Sequence, residues 1–308
     1  MNTSWLERPS GQQGRDAFRI IAPWWRWTLG VLAVVSLSAC STLRLSYNQA
    51  PTAAYWWADR YVDFQDSQSP QVKQDLQAFF AWHRREALPP IQQQLQRWHG
   101  LLAQDISADQ ACREFGWVQA QLRLMGEQGA APLARWATGL RPEQIQRMQK
   151  KFDERNQDFA EEHIEAPAAE RFQARLKDNR ERWTDWYGRL SPIQVQALEQ
   201  QLRASPWDAA VTLEERRWRQ ADLLATVQRS QQQPAQAAAA IREHLLRYAS
   251  ASTPARESQR QQWLRQGCQQ FADMHQRMSA EQRAHAQARL QGYIDDVGAL
   301  IAQARSGS

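Results

Sequence analysis

The sequence predicts an all-α fold, a multi-helix bundle of roughly nine or ten amphipathic helices, and three observations carry that expectation. Beyond residue 40, Arg, Gln, Glu and Ala dominate while glycine and β-branched residues are sparse, a composition that favours helix over strand. Helix start signals recur: Ser107, Ser191 and Ser279 each precede a glutamine three residues on (Gln110, Gln194, Gln282), and Thr212 precedes Glu215. In such capping boxes the hydroxyl and the later side chain satisfy backbone groups that a helix start leaves without partners. Finally, apolar side chains recur at helical steps on otherwise charged segments.

Taken in order, the aromatic block Tyr55, Trp56, Trp57, Tyr61 and Phe64 forms a short helix with Asp59, Arg60, Asp63 and Asp66 interspersed. A second helix begins near Ser69, with Pro70 in its first turn, where a missing amide hydrogen has no partner to lose. The pair Pro89–Pro90 should end or bend it. Ser107 opens the next helix, and Pro142 the one carrying Ile145, Met148, Phe152 and Phe159 on a single stripe. Phe172, Leu176, Trp183, Trp186 and Leu190 mark another stripe, and Ser191 with Pro192 starts its successor. Pro206 and Thr212 signal a further start, a break falls near Ser250 to Pro254, and Ser279 opens the last helix. No strand or hairpin signal interrupts this series.

The N-terminus reads differently. Thr28 to Ala39 is apolar or small throughout, bounded by Arg26 and Arg44 and preceded by Arg8, Arg15 and Arg19. A spanning helix needs about 20 largely apolar residues, so a basic region leading into a short apolar run predicts a cleaved export signal. A membrane helix over Ile20 to Ala39, with Trp24, Trp25 and Trp27 at the interface, is the alternative, and Arg26 counts against it. Leu37, Ser38, Ala39 and Cys40 resemble the lipobox of bacterial lipoproteins. The resemblance implies that Cys40 becomes the first mature residue, carrying diacylglycerol on its thiol and an acyl chain on its amine. Ser41, in place of Asp, implies the outer membrane, periplasmic face, rather than retention in the inner membrane. The expected organisation is a signal peptide over 1–39, a lipidated tether over 40–50 and a helical periplasmic domain over 51–308, with a subdivision near 205 as an option.

Without residues 1–39 the chain carries 34 Lys plus Arg against 31 Asp plus Glu, because four cations and two acids lie in the removed segment. The overall basic pI is therefore no argument for nucleic acid, and no nucleic-acid partner is expected. Two cysteines remain after Cys40, Cys112 and Cys268, and in an oxidising compartment they either pair or stay as buried thiols. His163 lacks the second histidine of a zinc-protease helix, and Cys268 with His275 supplies too few ligands for structural zinc, so no metal and no cofactor is expected. Nucleophile elbows, phosphate-binding glycine loops and dinucleotide fingerprints are absent, so an enzyme is not expected. A carboxylate pair for glycan cleavage is set by spacing in three dimensions and stays open as a cell-wall hydrolase alternative.

Two further resemblances bear on function. Tyr47–Asn48, the pair Trp56–Trp57, Tyr61-Val62-Asp63 and Trp82-His83-Arg84-Arg85, ending in Leu88-Pro89, resemble the blocks of an uncharacterised family of Gram-negative lipoproteins. That resemblance implies an all-helical body and brings no activity with it. The shapes LRPEQ from Leu140, LSPIQ from Leu190 and MSAEQ from Met278 resemble the motif of small periplasmic stress chaperones of the Spy type, which bind unfolded clients on an apolar concavity. The expected function is a non-enzymatic envelope interaction or maintenance factor anchored to the membrane through Cys40, with a tethered chaperone as the alternative. Candidate contacts with the membrane, an envelope protein or peptidoglycan are Tyr55, Trp56, His83, Arg84 and Arg85. The two arginines could grip phosphate or carboxylate, or instead pair with Asp59, Asp63 and Asp66.

Overall fold

The computed structural model describes residues 43–247 and 250–306, which fold into eleven α-helices with no strand among them. Helix α1 spans Ala50–Val62, α2 Ser69–Trp82, α3 Leu88–Leu101, α4 Ala108–Gly139 and α5 Pro142–Ala160. Then come α6 over Ala168–Tyr187, α7 over Pro192–Arg203 and α8 over Ala209–Gln232. The chain ends with α9 over Ala237–Arg247, α10 over Pro254–Gln276 and α11 over Ala280–Ser306.

The double proline does not end the second helix; it widens it. Residues His83–Ala87 form a π turn in which the Leu88 amide donates to the His83 carbonyl, and α3 continues with Pro89 and Pro90 in its first turn. Prolines cannot donate one turn back, so an inserted residue carries the chain across the gap. The same device recurs at Glu161–Glu165, where Ala166 donates to the Glu161 carbonyl at 3.1 Å just before Pro167.

The boxes at Ser107, Ser191 and Ser279 form with both of their bonds. The one expected at Thr212 does not. Asp208 caps α8 instead, accepting from the amides of Ala210 and Val211 at 2.8 and 3.2 Å, because a carboxylate four residues upstream reaches the first free amides before Thr212 can. Glu215 turns inward and accepts from the Ser252 amide at 2.9 Å.

Four helix–helix corners share one construction. Phe64, Leu140, Leu190 and Met278 each precede by four residues a glutamine: Gln68, Gln144, Gln194 or Gln282. Each glutamine Oε1 accepts the backbone N–H three residues back, from Gln65, Arg141, Ser191 and Ser279, at 2.8 to 3.0 Å. Each Nε2 then crosses to a second corner: Gln68 to the Gly139 carbonyl (2.7 Å) and Gln144 to that of Asp63 (3.0 Å). Gln194 reaches the Arg277 carbonyl (2.8 Å) and Gln282 that of Arg189 (3.0 Å). The two amides of each pair also bond, Gln144 to Gln68 at 2.8 Å and Gln194 to Gln282 at 2.7 Å. The α1–α2 corner is thereby fastened to α4–α5, and α6–α7 to α10–α11. The copy at Phe64 escapes the sequence reading because it has neither the serine nor the proline of the other starts.

Apolar burial follows the same grouping. One core gathers Leu102, Tyr187, Leu198, Met274, Ala286 and Leu290; another gathers Tyr55, Val62, Phe64, Val72 and Met148 with Leu223 and Leu224 packed against it. Both draw on residues from either side of position 205. Small side chains let α4 approach α8 and α9 closely: Ala130, Ala134 and Ala137 bury against Val227, Ala237 and Ile241. Asp75 on α2 is buried but takes hydrogen bonds from Arg135, the Trp136 indole and Gln71. Burial alone would raise its carboxyl, and those bonds outweigh it, holding the group below the ordinary carboxylate value.

The described part of the expected tether is helical and docked. Residues 43–48 are helical, and Arg44 reaches the buried Asp296 carboxylate of α11 at 3.0 Å. Tyr47 packs against the cluster of Leu88, Val297, Leu300 and Ile301.

Candidate functional site

Cys40 and the lipobox residues Leu37, Ser38 and Ala39 lie outside the described residues. Of the other candidates, Tyr55 is a correction: it is 5% exposed, and its hydroxyl bonds Ser69 Oγ at 2.8 Å, so it serves the core and cannot touch a partner. Its neighbour Trp56 is 59% exposed. His83 and Arg84 are turned to an internal task. His83 Nδ1 meets the Tyr47 hydroxyl at 2.7 Å, and Arg84 donates to Asn48 Oδ1 at 2.8 Å, so the π turn grips residues 47 and 48. Pairing of these arginines with Asp59, Asp63 and Asp66 does not form. Asp59 caps α1 by accepting from the Phe64 amide at 2.8 Å, and Asp63 meets Arg147 at 3.5 Å. Arg85 alone of the block faces solvent.

Cys112 near the start of α4 and Cys268 in α10 form a disulfide, with Cα atoms 5.4 Å apart across 156 residues of sequence. Beside it opens an apolar cleft of about 670 Å³ between the end of α3, the start of α4, the end of α6, the middle of α10 and Leu290 of α11. Its walls are aromatic: Trp98, Phe115, Trp183, Trp186, Trp263 and Phe271. Three of these stay unusually open to water for their type, Trp263 at 49%, Phe115 at 43% and Phe271 at 36%. Trp183 stacks on Phe271 at 5.8 Å, and Phe271 on His275 at 6.0 Å.

Three of the polar groups in the walls are already engaged. Glu114 accepts from the Trp98 indole at 2.7 Å, Asn179 donates to the Arg175 carbonyl at 2.8 Å and Gln270 to that of Gln201 at 3.0 Å. What is left facing the cleft is aromatic and aliphatic surface with Arg182 among its lining residues. Such a site recognises apolar matter by area and shape, with few directed bonds. Glu114 is the single carboxylate among the lining residues, so a pair suited to glycan cleavage is not assembled in this cleft. Among the described residues no group of three or more His, Cys, Asp and Glu could hold a metal ion.

Beneath the cleft Tyr187 and His275 fix one another. His275 Nε2 lies 2.7 Å from the Gln104 carbonyl, which can only accept, so Nε2 carries the proton and Nδ1 accepts from the Tyr187 hydroxyl at 2.9 Å. Burial holds the imidazole below its ordinary value of 6.5, and the same cause lowers His83. An unfolded chain takes up these protons near 6.5 while the folded one resists, so stability is lost as pH falls through that value. The urea midpoint should therefore drop between about pH 7 and pH 5, with a shallower drop in His275→Gln. A midpoint unchanged over that interval would show that neither histidine is held neutral.

The sequence pattern placed Trp183 and Trp186 on a buried stripe; they are half-buried and line the cleft. Trp263 and Phe115 belong to none of the apolar stripes that the sequence marks. Their signal is faint: each is a large aromatic set among polar neighbours, in Gln-Gln-Trp-Leu-Arg and Arg-Glu-Phe-Gly-Trp.

Fold and cleft together define an all-helical protein with an aromatic cleft. Residues 60–249 match a family of unknown function, DUF6279, and the chain belongs to that family. The matched region contains the Trp-His-Arg-Arg block and the Cys112 end of the cleft, and starts after Cys40. Comparison with the curated proteins and with the solved structures returns no match.

Proposed function

We propose that this is a lipid-anchored envelope protein on the periplasmic face of the outer membrane, which works by binding and uses the aromatic cleft to hold apolar segments of incompletely folded polypeptide. The observation that carries the reading is the cleft itself: about 670 Å³ walled by aromatic side chains, in which Glu114, Asn179 and Gln270 are occupied internally and Trp263 and Phe115 stay open to water. Apolar exposure of that kind is normally a binding surface. The Leu37 to Cys40 lipobox supports the anchor, and Ser41 the outer membrane.

A position away from the bilayer favours polypeptide over membrane lipid as the occupant. Tyr47 docks beside Leu88, while the cleft begins at Trp98 on the same helix. Ten residues of α3 separate the two by about 15 Å. The cleft therefore opens at the far end of α3 from the anchor.

The purified anchored protein, displayed on vesicles, should suppress aggregation of a reduced, unfolded client at stoichiometric amounts. Trp263→Ser combined with Phe115→Ser should weaken client binding about tenfold, since exposed aromatic anchors dominate such contacts. No suppression at stoichiometric excess, or a double variant as active as the parent, would remove the reading. For the anchor, a Cys40→Ala chain that still accumulated in the outer membrane without lipid would do the same.

A further inference from the structure

The helix that follows the anchor carries a second membrane contact. Residues 43–48 and α1 follow one another across a turn at Gln49: the Gln49 amide donates to the Leu45 carbonyl at 3.1 Å and the Ala53 amide to Gln49 at 2.9 Å, so bonds of helical spacing bridge the turn. One side of this rod is built into the body through Arg44, Tyr47, Tyr55 and Val62. The opposite side faces outward.

That outer side has a consistent character. Leu45 is 65% exposed, Trp56 59% and Trp57 64%. Leu45 and Trp56 are eleven residues apart, about three turns at 3.6 residues per turn, a spacing that in an ideal helix puts both on one side about 16 Å apart. Between and beside them the exposed positions are Ser46, Gln49, Thr52, Ala53 and Arg60, with Asn48 exposed but held by Arg84. Among the exposed positions of residues 45–60 there is no acid: Asp59 caps α1, and Asp63, just past the segment, is exposed but paired with Arg147 at 3.5 Å. Exposed tryptophans with neutral and cationic neighbours suit the headgroup layer of a bilayer, where an indole buries its ring and keeps its N–H wet.

Place on the chain selects the partner. The apolar run ends at Ala39, and the docked helix is already formed at residue 43. Three or four extended residues reach at most about 14 Å. An attachment at Cys40, or a membrane helix ending at Ala39, would leave this face beside the bilayer surface in either case.

We infer that the outer face of residues 45–60, led by Leu45, Trp56 and Trp57, lies in the membrane interface and fixes the orientation of the body on the bilayer. This rests on the anchoring reading and is independent of what the cleft binds. The α1 axis then lies along the membrane plane, and the protein is held by its lipid and by a helix side.

The test is oxidative footprinting of the anchored protein after flotation on vesicles of phosphatidylethanolamine and phosphatidylglycerol, with each tryptophan read by mass spectrometry. Trp263, of comparable exposure and far from the anchor, is the reference within the same molecule. Trp56 and Trp57 should be oxidised about fivefold more slowly than Trp263, and Trp56→Ser with Trp57→Ser should speed backbone hydrogen exchange across residues 45–60 on vesicles, as the interface loses the helix. Oxidation of Trp56 and Trp57 at the rate of Trp263 in floated protein overturns the contact while leaving the anchor standing. Failure of the protein to float at all overturns the anchor, and the contact with it.

Discussion

Replacing both bridge cysteines, Cys112→Ser with Cys268→Ser, should lower folding stability by about 3–5 kcal/mol. The bridge closes a loop of 156 residues, and in the chain-entropy view a loop of that length restricts the unfolded chain by about 5 kcal/mol at 25 °C, with unfolded-state solvation setting how much of it is seen. For a body of this size, at about 2 °C per kcal/mol, that is a fall of about 6–10 °C in Tm. The bridge also joins α4 to α10 on the wall of the cleft, so Phe115 and Trp263, on those two helices, lose a covalent reference to one another. Calorimetry of the double variant and of the parent in reductant should give the same lowered Tm. A variant melting within about 2 °C of the oxidised parent would mean that native packing alone holds α4 against α10.

The second large effect is expected at a glutamine. Gln194 is 6% exposed; it accepts from the Ser191 amide and donates to the Arg277 carbonyl and to Gln282. Gln194→Ala leaves those groups without partners in a site that admits little water, and each buried unpaired group costs about 1–3 kcal/mol. A loss of about 3 kcal/mol should follow. Gln110→Ala is the control. Gln110 makes the same local box, with Ser107, at the start of α4, and no bond to a second corner among the described residues. Its loss should cost about 0.5–1 kcal/mol, an ordinary cap. Urea denaturation of the two variants decides the matter: equal losses would mean that the crossed amides add nothing beyond capping. Gln144→Ala, in the other pair, should behave like Gln194→Ala because its Nε2 crosses to Asp63 and Gln68 in the same way.

Helix boundaries were largely legible because they depend on neighbours in sequence. A serine three residues before a glutamine announces a start whatever lies elsewhere, and Ser107, Ser191 and Ser279 all cap as the pattern implies. Where two local signals compete, pattern fails: Asp208 and Thr212 both offer a cap to one helix, and the earlier acceptor takes the first free amides. The double proline is a similar case. Its missing donors were evident, but whether the chain breaks or widens depends on what α2 and α3 pack against.

The sequence by itself determined the all-α class, the places where most helices begin, the pairwise availability of Cys112 and Cys268, and the aromatic richness of residues 47–64. These follow from local hydrogen bonding and composition. Only the tertiary structure decided which side of each helix faces water, and that governs the site. Tyr55 and Trp56 are adjacent in sequence, yet one is in the core and the other at the surface, because 100° of helix rotation separates them. His83 and Arg84, chemically suited to a partner, are taken up by Tyr47 and Asn48, 36 residues away in sequence. The cleft gathers side chains from five helices spread over residues 98–290. No spacing along the chain records that convergence, since it arises when buried stripes are satisfied together and a few aromatics are left over at their edge.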